Sequence, residues 1–330
     1  MAQEYIGVDL HKAFFQACAV TPAGERVWEG RFARTADGFA QFLLRLGPQT
    51  QLAVEACGPT WAFVDTIAPT GAAVCVVDTR KTKLKAGCAA KTDRLDARRL
   101  ADALRRGSVV SVYVPPPAIR ALREVCRGRH QLVRVRTRLV QMLRALLLRS
   151  GAADAPQRQL YSARGLAWLG QVALPPEAAA SCQRLTQLLR LVHAEVTAAD
   201  GPVRAQAAAD PIAGVLDGLV GIGPVIALTL RAEIGDIARF PRGPQLASYA
   251  GIVPRVSRSA GRGYSGRITR DGAPWVRWAL VEAARHAVKR QDAVGGWARR
   301  LARRIGWQKA RVALARRLCD EIVRVWPRGH

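Results

Sequence analysis

Apolar residues fall in short continuous runs through the first hundred positions and recur at helical spacing afterwards. YIGVDL (Tyr5–Leu10), AFFQACAV (Ala13–Val20) and RVWEGRFA (Arg26–Ala33) read as strands, with TPAG (Thr21–Gly24) as the turn between the second and third; together they predict a three-strand meander. Thr35 then stands ahead of Phe39, Phe42, Leu43 and Leu46 at helical steps, which predicts a capped helix. QLAVEA (Gln51–Ala56) and AAVCVV (Ala72–Val77) are continuous apolar runs, as buried strands require, and a helix is expected between them near Thr60–Ala68.

VPPP (Val114–Pro117) breaks this pattern and is a candidate boundary. Beyond it, Ala118–Ser150 carries Leu122, Val125, Leu132, Val135, Leu139, Met142 and Leu146 at steps of three and four, with one longer step across Gly128. The other faces hold arginines, from Arg120 through Arg134 and Arg138 to Arg149, with Glu124 the only acid. That spacing predicts a helical seam that packs on another helix and turns its arginines to nucleic acid. A second helix is expected over Glu177–Ala199. GLVGIGPVIALTLRAEIG (Gly218–Gly235) contains the G-h-G turn of a helix-hairpin-helix. Such a turn offers backbone N–H groups to a DNA phosphate; the plainer reading is a helical hairpin whose glycines allow close packing. A Gly/Arg/Ser-rich segment (Arg255–Gly272) reads as a loop, and helices follow to the end, with arginines from Arg299 to Arg317.

The chain of 330 residues is long enough for two domains, and 49% hydrophobic residues exclude a disordered tail. Lys and Arg number 51 against 25 Asp and Glu, a net charge of +26. A field of that size attracts polyanions, nucleic acid before an anionic membrane surface. No apolar run reaches the length of a membrane span and the N-terminus lacks a basic-then-apolar signal pattern, so the cytoplasm is the expected compartment. The seven cysteines are scattered, with no C-x-x-C pair, and read as buried free thiols rather than disulfides or zinc ligands.

Acids are scarce, yet KTDRLDARRLA (Lys91–Ala101) places Asp93 and Asp96 three apart at a helix start. Alone they read as a first turn balancing the helix dipole, with Asp96 positioned to pair with Arg99. Asp9 in GVDLHK and Glu55 in VEACG each end an apolar strand. The element order β-β-β-α-β-α-β-α is that of an RNase H-like sheet, in which the first and fourth strands are neighbours. Asp9 and Glu55 then sit side by side, and a helix across that edge delivers Asp93 and Asp96 to the same point. Four carboxylates in one place repel one another unless cations lie between them. The expected cofactor is Mg²⁺, as two ions, the usual means of displacement at a phosphodiester. His11 is read as a strand-exit residue or phosphate contact, because imidazole suits Mg²⁺ poorly. Lys91 is either a contact to the scissile phosphate or a solvated lysine.

GVDLHK, VEACG, KTDRLDARRLA and LASYAGIVPRVSRSAGRGYSGRITRDGAPWVRWALVEAA (Leu246–Ala284) together resemble the DEDD transposases of bacterial insertion sequences, the insertion-sequence family numbered one hundred and ten, which includes the Piv-like invertases. The resemblance covers nearly the whole chain. It implies an α/β RuvC-like (RNase H-like) catalytic domain over residues 1–114 with Asp9, Glu55, Asp93 and Asp96 as its metal-binding acids. It also implies a helical coiled-coil linker over 115–200 and a mostly α C-terminal transposase domain over 201–330 with a nucleophilic serine. Implied partners are donor and target DNA, a noncoding guide RNA from the same element, and further copies of the chain as a dimer or tetramer. Family spacing from Pro254 selects Ser259; there Ala260 replaces the usual glycine of the Ser-Gly step, and Ser257 and Ser265, the latter preceding Gly266, stay open as alternatives. Arg258, Arg262 and Arg267 around these serines are expected to hold phosphate oxygens. The resulting expectation is an RNA-guided recombinase that uses a covalent serine–DNA intermediate. The competing readings are a RuvC-like structure-specific nuclease that uses water and no serine, and a non-catalytic nucleic-acid scaffold, against which the four acids argue.

Overall fold

Alternation along the first strand, β1 (Glu4–Leu10), sets the architecture of the N-terminal half: Ile6, Val8 and Leu10 point one way and Gly7 and Asp9 the other. The computed structural model describes residues 3–82, 92–152, 159–259 and 262–327. The chain divides into two units, Met1–Val114 and Pro115–His330.

In the first unit β1 is followed by β2 (Phe14–Val20), β3 (Arg26–Ala33), α1 (Ala36–Leu43), β4 (Thr50–Glu55), α2 (Thr60–Ile67), β5 (Ala73–Val77), the one-turn α3 (Thr79–Thr82) and α4 (Asp93–Arg105). The sheet order is β3-β2-β1-β4-β5; the first three strands are antiparallel, and β1, β4 and β5 are parallel. This mixed sheet is compatible with the RNase H-like order expected from the sequence. Thr35 caps α1 by accepting from the Gly38 N–H at 3.3 Å. One face of the sheet carries bulk: Phe15 lies 5.0–5.4 Å from Phe32, Phe39, Phe42 and Phe63, from β3, α1 and α2. Each such ring removed from water contributes roughly 2–3 kcal/mol, which makes this face the main stabiliser of the unit. The other face is built from small residues. Gly7, Cys18 and Ala53 lie under Ala97, Leu100 and Ala101 of α4. A side chain at Gly7 would place its Cβ 1.9 Å from the Ala97 carbonyl oxygen, so only glycine lets α4 sit this low on the sheet.

The second unit contains α5 (Pro117–Arg149), α6 (Ala163–Leu169), α7 (Pro176–Ala209), α8 (Pro211–Asp217), α9 (Pro224–Ile234), α10 (Gly243–Tyr249), β6 (Pro254–Ser259), β7 (Arg262–Ile268), α11 (Pro274–Val288), α12 (Ala293–Ile305) and α13 (Trp307–Val325). α5 opens on Pro117, whose missing N–H costs nothing in a first turn, and runs unbroken through Gly128. It packs along α7, which extends past the expected Ala199 to Ala209.

The buried residues of α5 are Ile119, Cys126, His130, Leu139, Leu143 and Leu147, while Val135 and Met142, assigned to the seam, are 47% and 45% exposed. The helix turns two different faces to two cores along its length: Leu122 and Val125 meet the α9/α11/α13 core, and Leu139 meets α6 and α7 of the same chain. A single straight stripe cannot serve both. The Gly/Arg/Ser-rich segment is not simply a loop, since Pro254–Ser259 and Arg262–Ile268 pair as an antiparallel hairpin. Its backbone groups find partners in a ladder, and Pro254 takes the first strand position, where a missing donor is tolerated. Among the cysteines, Cys18, Cys126, Cys182 and Cys319 are buried and free, whereas Cys57 is free but exposed; Cys88 lies outside the described residues. No helix among the described residues is long and apolar enough to cross a membrane.

His130 locks α5 to the C-terminal core and yields a pH prediction. Its ring stacks on Trp275 at 4.7 Å and meets Trp278 edge-on at 4.2 Å. The Thr229 hydroxyl donates to the Val225 carbonyl, so it accepts from His130 Nε2–H at 3.0 Å, which fixes the neutral tautomer. Burial, reinforced by the Arg129 charge, pushes His130 down to about 4. A histidine whose folded value lies below its unfolded value contributes stability above the unfolded value and loses it as pH falls. Between pH 6.5 and about 4 the second unit is expected to lose roughly 3 kcal/mol from this group. Thermal melts across that range should show His130→Gln to be less stable at pH 7 and flatter in its pH dependence; equal slopes would remove His130 as the cause.

Candidate active site

α4 starts where the chemistry is dense. Thr92 accepts from the Leu95 N–H at 3.3 Å and caps the helix, so Asp93 and Asp96 fall in its first turn, where carboxylates also offset the dipole. Arg94 reaches Glu29 of β3 at 3.0 Å and pins this end of the helix to the sheet. With Gly7 beneath, the first turn lies over the end of β1, on the face that carries Asp9.

Asp9 and Asp93 come together there with His11 between them. His11 Nε2 is 3.2 Å from Asp9 Oδ2 and 3.3 Å from Asp93 Oδ1, and one donor atom from each of the three residues lies within 4.8 Å of the others. Asp9 is 16% exposed and Asp93 47%. Burial raises the Asp9 carboxyl above its ordinary value; His11 opposes the rise, and the charges of Asp93 and Asp96 add to it. Asp96 thus acts electrically on Asp9, while its own Oδ1 accepts from Arg99 at 3.1 Å. Glu55 closes β4 one residue beyond the Val8–Val54 pair of β1 and β4, which puts it beside Asp9 on the same sheet face. Its Oε1 accepts the Thr79 hydroxyl proton at 2.6 Å.

Two carboxylate oxygens and an imidazole nitrogen at this spacing, around an acid whose ionised form is disfavoured, form a donor set that fits a divalent cation. His11 entered the sequence reading as a strand-exit residue or phosphate contact; its place between the two acids depends on the turn after β1 and on α4 docking, and no spacing rule reports either. The Thr79 contact to Glu55 had no sequence signal, since 24 positions separate them.

The remaining candidates lie elsewhere in the chain. Lys91 is outside the described residues. Along the hairpin backbone, Ser257 is opposite Tyr264, Arg258 opposite Gly263, Ser259 opposite Arg262, and Ser265 opposite Val256. Arg267 is exposed. Several α5 arginines hold the second unit together instead of facing outward. Arg127 grips Glu233 with two bonds of 2.7 and 2.9 Å, Arg123 donates to the Ala232 and Glu233 carbonyls, and Arg129 binds Asp200. Arg134 and Arg138 remain exposed and line, with Trp278, a cleft of about 610 Å³. A cleft of about 670 Å³ shares Val133 and Trp278 with it and runs past Arg204 and Arg290 to the turn between α8 and α9. In that turn Gly221 has φ +81°, and a Cβ there would lie 2.2 Å from the Ala283 carbonyl oxygen. Gly223 caps α9 without a side-chain bond to its first N–H groups.

Residues 6–151 match a family model for DEDD-type transposases of the IS110 kind, described as "Transposase". Residues 213–296 match one described as "Transposase IS116/IS110/IS902 family". Similar proteins include the "Transposase for insertion sequence element IS1111A" of Coxiella burnetii, 27% identical over 94% of this chain and 86% of that one. A "Probable family 20 transposase" of Pseudomonas aeruginosa is 28% identical over 94% of this chain and 93% of that one. The "Transposase for insertion sequence element IS1328" of Yersinia enterocolitica is 25% identical over 88% and 86%. One match carries the acids of the first unit and the other carries most of the second unit's core and its hairpin, so the chain belongs to the IS116/IS110/IS902 family of insertion-sequence transposases.

Proposed function

We propose that this transposase is an RNA-guided DNA recombinase whose acids Asp9, Glu55, Asp93 and Asp96 act with Ser259 in one reaction. The observation that carries the reading is the approach of Asp93 to Asp9 at the end of β1, with Glu55 on the adjoining strand, in a chain of the DEDD type. The ion expected there is Mg²⁺, as a pair; when bound it supplies positive charge against the charge that develops on the phosphoryl oxygens. Asp9, Glu55, Asp93 and Asp96 would hold the ions there, and the Asp96 charge also acts on Asp9. Ser259 Oγ forms a bond to phosphorus, the bond to a deoxyribose oxygen breaks, and the serine proton ends on that oxygen. The phosphodiester energy is thereby kept in a serine–DNA ester that a second strand end can reverse.

Donor and target DNA and a noncoding guide RNA of the element are the proposed partners. Arg258, Arg262 and Arg267 hold phosphate beside the serine, Arg134 and Arg138 hold nucleic acid along α5, and the glycine turn before α9 takes a DNA phosphate in helix-hairpin-helix fashion. Apolar side chains exposed on α5 and α7, among them Val135, Met142, Leu188 and Leu191, support assembly as a dimer or tetramer.

The test incubates the protein with the element's flanking DNA and its noncoding RNA and resolves products on a denaturing gel. A protein–DNA adduct is expected, and Ser259→Ala should bind both nucleic acids, form no adduct and give no recombinant. The same change at Ser257 or Ser265 should be milder. Loss on Ser265→Ala in place of Ser259→Ala moves the nucleophile to Ser265. Cleavage with no adduct from any variant or the parent makes the chain a hydrolytic nuclease.

A further inference from the structure

His11 stands outside the four-carboxylate set, yet its ring nitrogen approaches two of the four acids at once. Its Nε2 sits 3.2 Å from Asp9 Oδ2 and 3.3 Å from Asp93 Oδ1. An imidazole nitrogen carries at most one hydrogen and cannot donate a straight bond to two separate carboxylates. Adjacent ligands of an octahedral ion with bonds of about 2.1 Å lie about 3.0 Å apart. The spacing of the nitrogen from each oxygen is therefore close to that of neighbours on one ion.

The fold aims this ring without help from any ion. The His11 N–H donates to the Phe14 carbonyl at 2.9 Å, and Arg34 donates to the carbonyls of His11 and Lys12 at 3.4 and 3.0 Å, which fixes the turn between β1 and β2. The His11 ring stacks on Phe14 with centroids 4.5 Å apart, and the Arg31 guanidinium lies 3.5 Å over the same Phe14 ring. A strand-exit residue with no further task needs none of this support.

We infer that His11 is a nitrogen ligand to the divalent ion held by Asp9 and Asp93, and that it biases the site toward Mn²⁺ over Mg²⁺. The inference rests on the metal-dependent reading above and adds a residue and an ion preference to it. Mg²⁺ is hard and takes oxygen ligands, whereas a transition-metal ion accepts imidazole nitrogen as readily as carboxylate oxygen. One nitrogen among oxygens is thus a bias built into the site and leaves Mg²⁺ able to bind.

The experiment needs no DNA and no turnover. Mn²⁺ is titrated into the full-length protein and followed by electron paramagnetic resonance, with Mg²⁺ as competitor. Electron spin-echo modulation then reads whether a ¹⁴N nucleus couples to the bound Mn²⁺. The expected result is ¹⁴N coupling in the parent, and Mn²⁺ bound about tenfold more tightly than Mg²⁺. His11→Ala should lose the coupling and about tenfold in Mn²⁺ affinity while Mg²⁺ affinity stays within about twofold. His11→Gln, which replaces nitrogen by oxygen, should narrow the gap between the two ions, and thermal melts of both variants check that the turn stays folded. Mn²⁺ bound in an Asp9-dependent way without nitrogen coupling overturns the inference alone. A parent protein that binds neither ion overturns the metal-dependent reading itself.

Discussion

Asp9→Ala is expected to slow DNA cleavage by about 10³-fold or more while leaving the protein as stable as its parent, or slightly more so. The two halves of this expectation have one cause. Asp9 is 16% exposed, its carboxyl is raised by burial, and Asp93 and Asp96 add repulsion. Its ionised form is therefore harder to hold in the folded chain than in the unfolded one, and deletion removes that cost. The same form is the one that meets a cation, so deletion also removes the charge the reaction needs. Asp93→Ala should behave alike, because the same contact is lost from the helix side. Glu55→Ala and Asp96→Ala differ in stability: the first removes the acceptor of the Thr79 hydroxyl, and the second removes a carboxylate to which Arg99 donates. Strand cleavage on a denaturing gel beside a thermal melt reads both quantities. Full cleavage by Asp9→Ala would dismiss the acids as catalytic, and a melt lowered by many degrees would make Asp9 a structural residue.

The largest structural effect is expected from the smallest change, Gly7→Ala. The added Cβ would lie 1.9 Å from the Ala97 carbonyl oxygen, 2.4 Å from the Ala101 nitrogen and 2.8 Å from the Leu100 Cβ, whereas ordinary contact begins near 3.4 Å. Two of the three atoms belong to the helix backbone and cannot swing away. Either α4 retreats by about 1.5 Å, or the face of Gly7, Cys18 and Ala53 opens. Overpacking of this severity costs about 3 kcal/mol or more. A retreating α4 also carries Asp93 and Asp96 away from Asp9, so divalent-ion binding should weaken even where the chain stays folded. Calorimetry and Mn²⁺ titration on Gly7→Ala separate the two losses. Unchanged melting with unchanged ion affinity would mean that α4 does not depend on this contact.

The sequence by itself determined the strands of the first unit and most helices of both units, because burial on a sheet face and on a helix face leave different periods in the apolar residues. Continuous runs at β4 and β5, and Phe39, Phe42 and Leu43 behind a threonine cap, sufficed for those elements. It also singled out Asp9, Glu55, Asp93 and Asp96 as candidates: in a chain of net charge +26, carboxylates at the ends of apolar strands and at a helix start stand out against their surroundings. Only the tertiary structure decided what depends on two distant segments meeting. α5 alternates between two cores, so a straight apolar stripe misplaced Val135 and Met142. Arginines that looked alike in the sequence divide into those that hold α9 and α7, such as Arg123, Arg127 and Arg129, and those left open, Arg134 and Arg138. The hairpin around Ser259 arises from pairing between β6 and β7, which the local run of Gly, Arg and Ser does not encode as a period. His11 is the clearest case. Its residue type argues against an oxygen-loving ion, yet a turn pinned by Phe14 and a helix seated on Gly7 bring its nitrogen between two carboxylates, and a contact made by two separately folded segments leaves no spacing along the chain to read.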